Sequence, residues 1–412
     1  MRSLVVLGAG TAGTMIVNKL HKALPHNEWQ ITVVDRDDKH HYQPGYLFVP
    51  FGDLDPSDVV KSRRQQLVKG VRFVEADVDR VDAEDDSVRL ADGRSLHYDY
   101  LVIASGSMPR PDQTPGMADE QWRRSVFDFY TLDGATALRD ALQQFTGGRL
   151  VVHITEMPIK CPVAPLEFAF LVDAWLGARG LRKQTELTYV TPLDGAFTKP
   201  VASAALGHML AERDIALESE FMLERIDAEA KTLVSYDERE IGFDLLVTVP
   251  LNMGAEFVAR SGLGDELNYV PVDKGTLQST AYKNIFAVGD ASNIPTSKAG
   301  SVAHFSVETF VENFLQLIKG KEMAHSFDGH ANCFIESGHG KGMLIDFNYD
   351  TEPLKGTYPV PKVGPMHLLK ETRLNHLGKL SFRWIYWHML LPGRRLPVPT
   401  QMSMVGKQRP AA

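Results

Sequence analysis

The chain has 412 residues, 44% of them hydrophobic and 23% charged, with no run of about 18 apolar residues. This sets an expectation of two or three domains and excludes a fibrous, disordered or helically membrane-spanning chain. The formal net charge of −8 hides a division: residues 353–412 hold ten Lys/Arg against one acid, Glu371, so the remainder is strongly acidic. An acidic body repels nucleic-acid phosphates, and a basic, aromatic tail suits a membrane surface or an acidic partner.

The two cysteines, Cys161 and Cys333, are too few for a disulfide scaffold or a four-cysteine metal site, and no metal is expected. They read either as buried apolar thiols or as a redox pair that the fold brings together. The N-terminus carries no apolar segment followed by a cleavage site, so no signal peptide is expected.

In chain order, a strand is predicted over 4–7, followed by Gly8-Ala9-Gly10-Thr11-Ala12-Gly13. Met15, Ile16 and Leu20 then keep helical spacing, and a buried strand over 31–34 ends at Asp35. Glycines between strand and helix, with an acid about 20 residues on, describe a dinucleotide site. Gly8 serves the tight turn, Gly10 lets the backbone approach a pyrophosphate, and Gly13 lets the helix pack on the strand. Asp35 is expected to accept from a ribose hydroxyl.

Residues 88–93 read as a hairpin strand and its turn, and 98–106 as a buried strand ending in Ser105-Gly106. Pro109 and Pro111 then mark a domain boundary. A second α/β unit opens with a strand over 150–154. Its turn, 153–162, lacks the glycines that a second pyrophosphate needs. The following helix is predicted over 166–176, so Cys161 stands near a helix N-terminus, a position that favours the thiolate. Strands are further predicted over 186–190 and 245–249. Residues 285–290 form a strand ending in Gly289-Asp290, and Lys298-Ala299-Gly300 leads into a helix over 301–317. Such an aspartate can bind a cofactor's ribitol chain, and such a helix start can stabilise negative charge.

From Lys355 the chain is basic, aromatic and punctuated by proline. Leu377, Leu380, Trp384, Trp387 and Leu391 share one helical face, with Lys379 and Arg383 off it, until Pro392-Gly393 ends the helix. This predicts either an interfacial membrane helix or a docked terminal helix.

Together, GAGTAG, the Asp35 strand, YLVIASG and the FAVGD–KAG block resemble the two-dinucleotide-binding-domain flavoproteins. Within them the chain is similar to the sulfide:quinone oxidoreductases. The likeness is carried by His41-Tyr42-Gln43-Pro44-Gly45, by Cys161-Pro162-Val163-Ala164-Pro165-Leu166-Glu167-Phe168, and by Cys333 beyond Gly289-Asp290. It implies an α/β fold of two Rossmann-like domains plus an amphipathic, membrane-associating C-terminal region. The implied division is 1–108 and 270–325 for the FAD-binding domain, 109–269 for the second Rossmann-like domain, and 326–412 for the quinone and membrane region.

The resemblance further implies FAD held by Gly8, Gly10, Gly13, Asp35, Gln43, Pro44, Ser105, Gly106, Gly289, Asp290, Lys298, Ala299 and Gly300. Many members carry a third cysteine where this chain has 125–130, with none, so the FAD is expected to be non-covalent. Hydrosulfide would be oxidised at the Cys161/Cys333 pair, with Cys333 as the thiolate beside the flavin and Glu167 moving protons. Electrons would pass to membrane quinone, with Phe382, Trp384 and Tyr386 as candidates at its entrance. Localisation would be peripheral, on one bilayer surface, as a single chain or a homo-oligomer. Three other readings compete: a type II NADH:quinone dehydrogenase, which needs the glycines missing at 153–162; the flavoprotein subunit of flavocytochrome c sulfide dehydrogenase; and a non-enzymatic FAD and thiol redox sensor.

Overall fold

The computed structural model describes residues 1–360, 364–396 and 398–408. The strand Arg2–Leu7 lies at the middle of a five-stranded parallel sheet, in the order Ile285–Ala287, Tyr100–Ile103, Arg2–Leu7, Trp29–Asp35, Arg72–Glu75. Its three central strands are apolar almost without interruption, as strands buried on both faces must be. The helices Thr11–Ala23 and Gly300–Leu317 pack on each other against it.

The chain leaves this sheet through Ser107–Pro109 and returns through Asn252–Gly254, and these two segments pair antiparallel. The proline-marked break at Pro109 is thus half of a two-stranded ribbon joining the halves of the molecule. Between them lies a second parallel sheet, in the order Val126–Phe127, Leu245–Val249, Gly148–Ile154, Thr185–Val190, Ala216–Glu218. Its helix Ala164–Ala178 starts two residues earlier than the apolar spacing predicts, with Pro165 in the first turn, where a missing N–H does no harm. The α/β fold with two Rossmann-type sheets is as the sequence predicts.

Beyond Gly300–Leu317 comes a four-stranded sheet that the sequence analysis did not foresee. Its order is Ala331–Gly338, Lys341–Phe347, Gly364–Leu368, Gly356–Val360. The first two strands form a hairpin that sets Cys333 opposite Ile345. The hairpin's first strand packs on the helix Ala164–Ala178, and the helix Arg373–Ile385 packs on the hairpin. Gly378 permits that contact, because a Cβ there would stand 2.9 Å from the Phe334 ring.

The terminal helix corrects one expectation. Tyr386–Leu390 winds as a π-helical turn, and this wider winding turns the following residues inward. Trp384 is 60% exposed, but Trp387 is 6% and Leu391 0% exposed. The outward apolar face is therefore Leu374, Leu377, Leu380 and Trp384. Among the described residues, no helix is long and apolar enough to cross a membrane.

Candidate functional site

The glycine turn after Arg2–Leu7 is built as the spacing predicts. Gly8 has φ +105°, and a Cβ there would lie 2.5 Å from the Ala104 carbonyl oxygen; a Cβ on Gly13 would strike the Gly8 carbonyl. At Gly10, by contrast, a Cβ would meet nothing within 4 Å, and the helix Thr11–Ala23 has no side-chain cap. Gly300, opening the helix Gly300–Leu317, is equally clear, and that helix also lacks a side-chain cap. Ser105 Oγ is buried without a partner. Two uncapped helix starts and an orphaned hydroxyl at the carboxyl edge of one parallel sheet are what a bound dinucleotide would use, so these residues fit FAD. Gly106 has φ +70° and Gly289, just before Asp290, φ +71°.

Asp35 is more heavily engaged than expected. Its Oδ2 accepts from the Ala9 N–H at 2.7 Å and pairs with the Arg63 guanidinium, and its Oδ1 accepts from the Arg36 N–H at 2.8 Å. It braces the glycine turn, and Arg63 is a partner that the sequence analysis missed.

The two halves meet at the turn 155–163. Lys160 Nζ donates to Gln43 Oε1 at 2.9 Å, beside Pro44 in the helical turn Gln43–Leu47. The Cys161 N–H donates to the Lys298 carbonyl at 2.5 Å, and the Tyr130 hydroxyl donates to the Cys161 carbonyl at 3.0 Å. Cys161 itself is left-handed, with φ +48°. The Cys161 turn is thus tied through its backbone to the loop before Ala299-Gly300, and the Cys333 strand reaches the same helix start, where the Asn332 N–H donates to Ser301 Oγ at 3.3 Å. Lys298 Nζ donates to the Asp290 and Ser292 carbonyls at 3.0 and 2.9 Å and lies 3.6 Å from the Tyr269 ring centre. Burial pulls its ammonium down to about 8. Burial raises the Asp290 carboxyl, against the pull of Lys298 and Lys160.

Behind Cys161 lies a buried ionic cluster. Glu167, 0% exposed, accepts through Oε1 from Lys379 Nζ at 2.6 Å and from the Glu336 N–H at 2.7 Å. Lys379 also donates to the Phe334 carbonyl at 3.1 Å, next to Cys333 on the strand. Glu336 Oε2 lies 2.8 Å from His376 Nδ1. Both thiols are free. Burial lifts the Cys161 thiol to about 12, helped by Glu167 and opposed by Lys379. This corrects the expected thiolate: loss of hydration outweighs the helix start. The Cys333 thiol is raised too, first by burial and then by Cys161.

The three aromatic residues expected at a quinone entrance do not share one surface. Trp384 faces solvent; Phe382, half-buried, packs beside Tyr42 and Tyr386. Tyr386 is buried, its hydroxyl 2.7 Å from His40 Nε2 and 2.8 Å from Thr11 Oγ1. His40 Nδ1 faces the Ala9 carbonyl at 3.1 Å, so Nδ1 carries the proton and the Tyr386 hydroxyl donates to Nε2. Tyr386 thus pins the terminal helix to the glycine turn. Lys160, Tyr130, Lys379, Glu336 and His376 had no signal of their own in the sequence, because each acquires its place only through contacts over long sequence separations.

Comparison with known proteins places this geometry. Residues 2–153 match the pyridine nucleotide-disulphide oxidoreductase family. A type II NADH:quinone oxidoreductase of Staphylococcus aureus is 32% identical over 387 residues, covering 84% of this chain and 90% of that protein. The chain therefore belongs to the pyridine nucleotide-disulphide oxidoreductase family. Within it, the chain aligns along nearly its whole length with sulfide:quinone oxidoreductases. The mitochondrial protein of Dictyostelium discoideum is 27% identical over 397 residues, covering 95% of this chain and 86% of that one. The X-ray structure of the Aquifex aeolicus sulfide:quinone oxidoreductase shares the fold, with a TM-score of 0.81 at 19% identity, over 96% of this chain and 92% of that one.

Proposed function

We propose that this chain is an FAD-dependent sulfide:quinone oxidoreductase that oxidises hydrosulfide to zero-valent sulfur or polysulfide and reduces membrane quinone. The observation that carries this reading is the packing of the helix Ala164–Ala178, which follows Cys161, on the strand that bears Cys333, beside two uncapped helix starts that fit a dinucleotide. Residues 1–108 and 270–325 would hold FAD, 109–269 supply Cys161, and 326–412 supply Cys333 and the bilayer contact.

FAD, non-covalent because 125–130 offers no cysteine, supplies a two-electron carrier between sulfur and quinone. The chain's own part begins with the oxidised pair. Hydrosulfide attacks one sulfur of a Cys161–Cys333 bridge, the S–S bond breaks, one cysteine becomes a persulfide and the other leaves as a thiolate. The sulfide proton is released next to Glu167, whose Oε2 is buried without a partner. The Lys379 ammonium favours the departing thiolate at either cysteine. Both cysteine-bearing segments border the start of Gly300–Leu317, through the Cys161 N–H on the Lys298 carbonyl and the Asn332 N–H on Ser301 Oγ, and Cys333 is assigned as the thiolate beside the flavin.

NADH fits less well as the donor. The turn 155–163 is taken up by the Lys160–Gln43 and Cys161–Lys298 links, and it has no glycine at which a second pyrophosphate could approach the backbone. The face formed by Leu374, Leu377, Leu380 and Trp384, flanked by Lys370, Arg373 and Arg383, supports peripheral attachment to a bilayer, where the quinone resides.

The test is anaerobic flavin absorbance on the purified holoenzyme. Sulfide alone should bleach the flavin, and a short-chain quinone should restore it. Bleaching by NADH and not by sulfide would overturn the reading in favour of a dehydrogenase. Bleaching by sulfide without reoxidation by quinone would overturn it in favour of a sensor or a haem-linked enzyme.

A further inference from the structure

We infer that Glu336 and His376 form the proton outlet between the buried sulfur pair and solvent, an inference that rests on Cys161 and Cys333 being the redox pair. Oxidising sulfide to zero-valent sulfur releases protons where the strand Ala331–Gly338 is packed between the helices Ala164–Ala178 and Arg373–Ile385. Those protons must leave if turnover is to continue.

The cluster behind the cysteines is graded from sealed to open. The side chain of Glu167 is 0% exposed, Glu336 2%, Lys379 13% and His376 25%. Glu167 spends Oε1 on Lys379 Nζ and the Glu336 N–H, while its Oε2 has no partner among the described residues. Glu336 repeats the pattern: Oε2 meets His376 Nδ1 at 2.8 Å, while Oε1 is buried and has no partner among the described residues. Two buried carboxylates, each with a vacant oxygen, are a poor way to stabilise a fold, because an unsatisfied buried oxygen costs about 1–3 kcal/mol. The same oxygens can take up and pass on a proton.

The groups around this route set its direction. His376 is faced by Glu336 from the hairpin, and its charge acts on Asp53 from the loop after Gln43–Leu47; Lys379 stands one turn along its own helix. Burial raises the Glu336 carboxyl, Glu167 adds to the rise, and His376 and Lys379 hold it back. A proton on Glu336 Oε2 passes to His376 Nδ1, and the imidazolium returns one from Nε2 to water. No electrons move, and Glu336 is left ready for the next proton from the Glu167 side.

The experiment uses FAD-loaded H376A and E336Q, with sulfide-dependent flavin reduction followed by anaerobic stopped flow across pH 6–9. H376A removes a partly exposed ring, so its flavin spectrum reports whether the fold is kept; H376Q serves as the second variant. Flavin reduction should slow at least about tenfold in both H376A and E336Q. Added imidazole should restore H376A but not E336Q, and reoxidation by a short-chain quinone should be unchanged. A wild-type pH profile in H376A, or slowing that imidazole does not relieve, would overturn the outlet. Wild-type holoenzyme that sulfide fails to bleach would instead overturn the underlying assignment of the cysteines, so the two failures are distinguishable.

Discussion

Glu167 Oε1 and Lys379 Nζ meet at 2.6 Å across 212 positions of the chain, joining the second Rossmann-type domain to the terminal helix. Burial pulls the Lys379 ammonium down, but Glu167, followed by Cys161, outweighs it and holds Lys379 above the ordinary lysine value. Removing one member of such a pair strands the other's charge out of water, which typically costs about 3–5 kcal/mol. Lys379→Met should therefore destabilise the holoenzyme by about 3 kcal/mol in denaturant titrations. Glu167→Gln added to it should recover at least half of that loss, because no lone charge then remains buried. Additive losses in the double variant would show that the two residues act separately.

The cysteines give a sharper functional prediction. Cys161→Ser and Cys333→Ser should each abolish sulfide-dependent quinone reduction. Flavin content should stay at the wild-type level, since each change replaces a single sulfur by oxygen and keeps the backbone bonds at the start of Gly300–Leu317. Dithionite should still bleach both variants. Residual turnover with sulfide in either one would remove the dithiol chemistry.

What the sequence made legible was whatever local rules dictate. The Gly8-Ala9-Gly10 turn, the buried strands 101–103 and 285–287, and the absence of a second glycine turn after Ile154 all follow from short-range pattern. The four-stranded sheet was not legible, because its first strand, Ala331–Gly338, is buried by a helix more than 150 residues earlier and carries no clean alternation. Trp387 and Leu391 were misplaced for a local reason of a different kind: a π-helical turn has no signature in apolar spacing, yet it moves every later residue off the expected face. The thiolate expected at Cys161 failed on desolvation, which depends on what the remaining chain places over the sulfur.

His40 predicts a pH dependence. Burial lowers its imidazole to about 4 from the ordinary histidine value of about 6.5, with the Ala9 carbonyl opposing and His41 adding to the fall. The folded state therefore binds fewer protons than the unfolded state between these two values. Stability contributed by neutral His40 is fully present above about pH 6.5 and is lost as pH falls toward 4, by up to about 1.4 kcal/mol per pH unit. His304, held at about 4 by burial, titrates in the same direction. His40→Asn should flatten part of this acid slope in thermal unfolding of the holoenzyme. It should also loosen the Tyr386 end of the terminal helix, seen as faster amide exchange over 384–391. An unchanged slope would mean that the Tyr386–His40–Ala9 link does not carry the acid sensitivity.

The outward face of Arg373–Ile385 predicts how the protein finds its quinone. Leu377 is 57% and Trp384 60% exposed, outside the bonds that join Glu167, Lys379, Glu336 and His376. A Leu or Trp side chain moved from water into the interfacial region contributes about 1.5–3 kcal/mol when fully buried, so each should account for at least about tenfold in vesicle binding. Leu377→Ser with Trp384→Ser should therefore weaken sedimentation with anionic phospholipid vesicles by about 100-fold. Sulfide should bleach the flavin of this variant at the wild-type rate, and a water-soluble quinone should reoxidise it normally. Turnover with a long-chain quinone embedded in the vesicles should fall in step with binding. If vesicle binding were unchanged while long-chain turnover fell, Leu377 and Trp384 would be contacts for the quinone itself. If both were unchanged, the bilayer would dock elsewhere on the molecule.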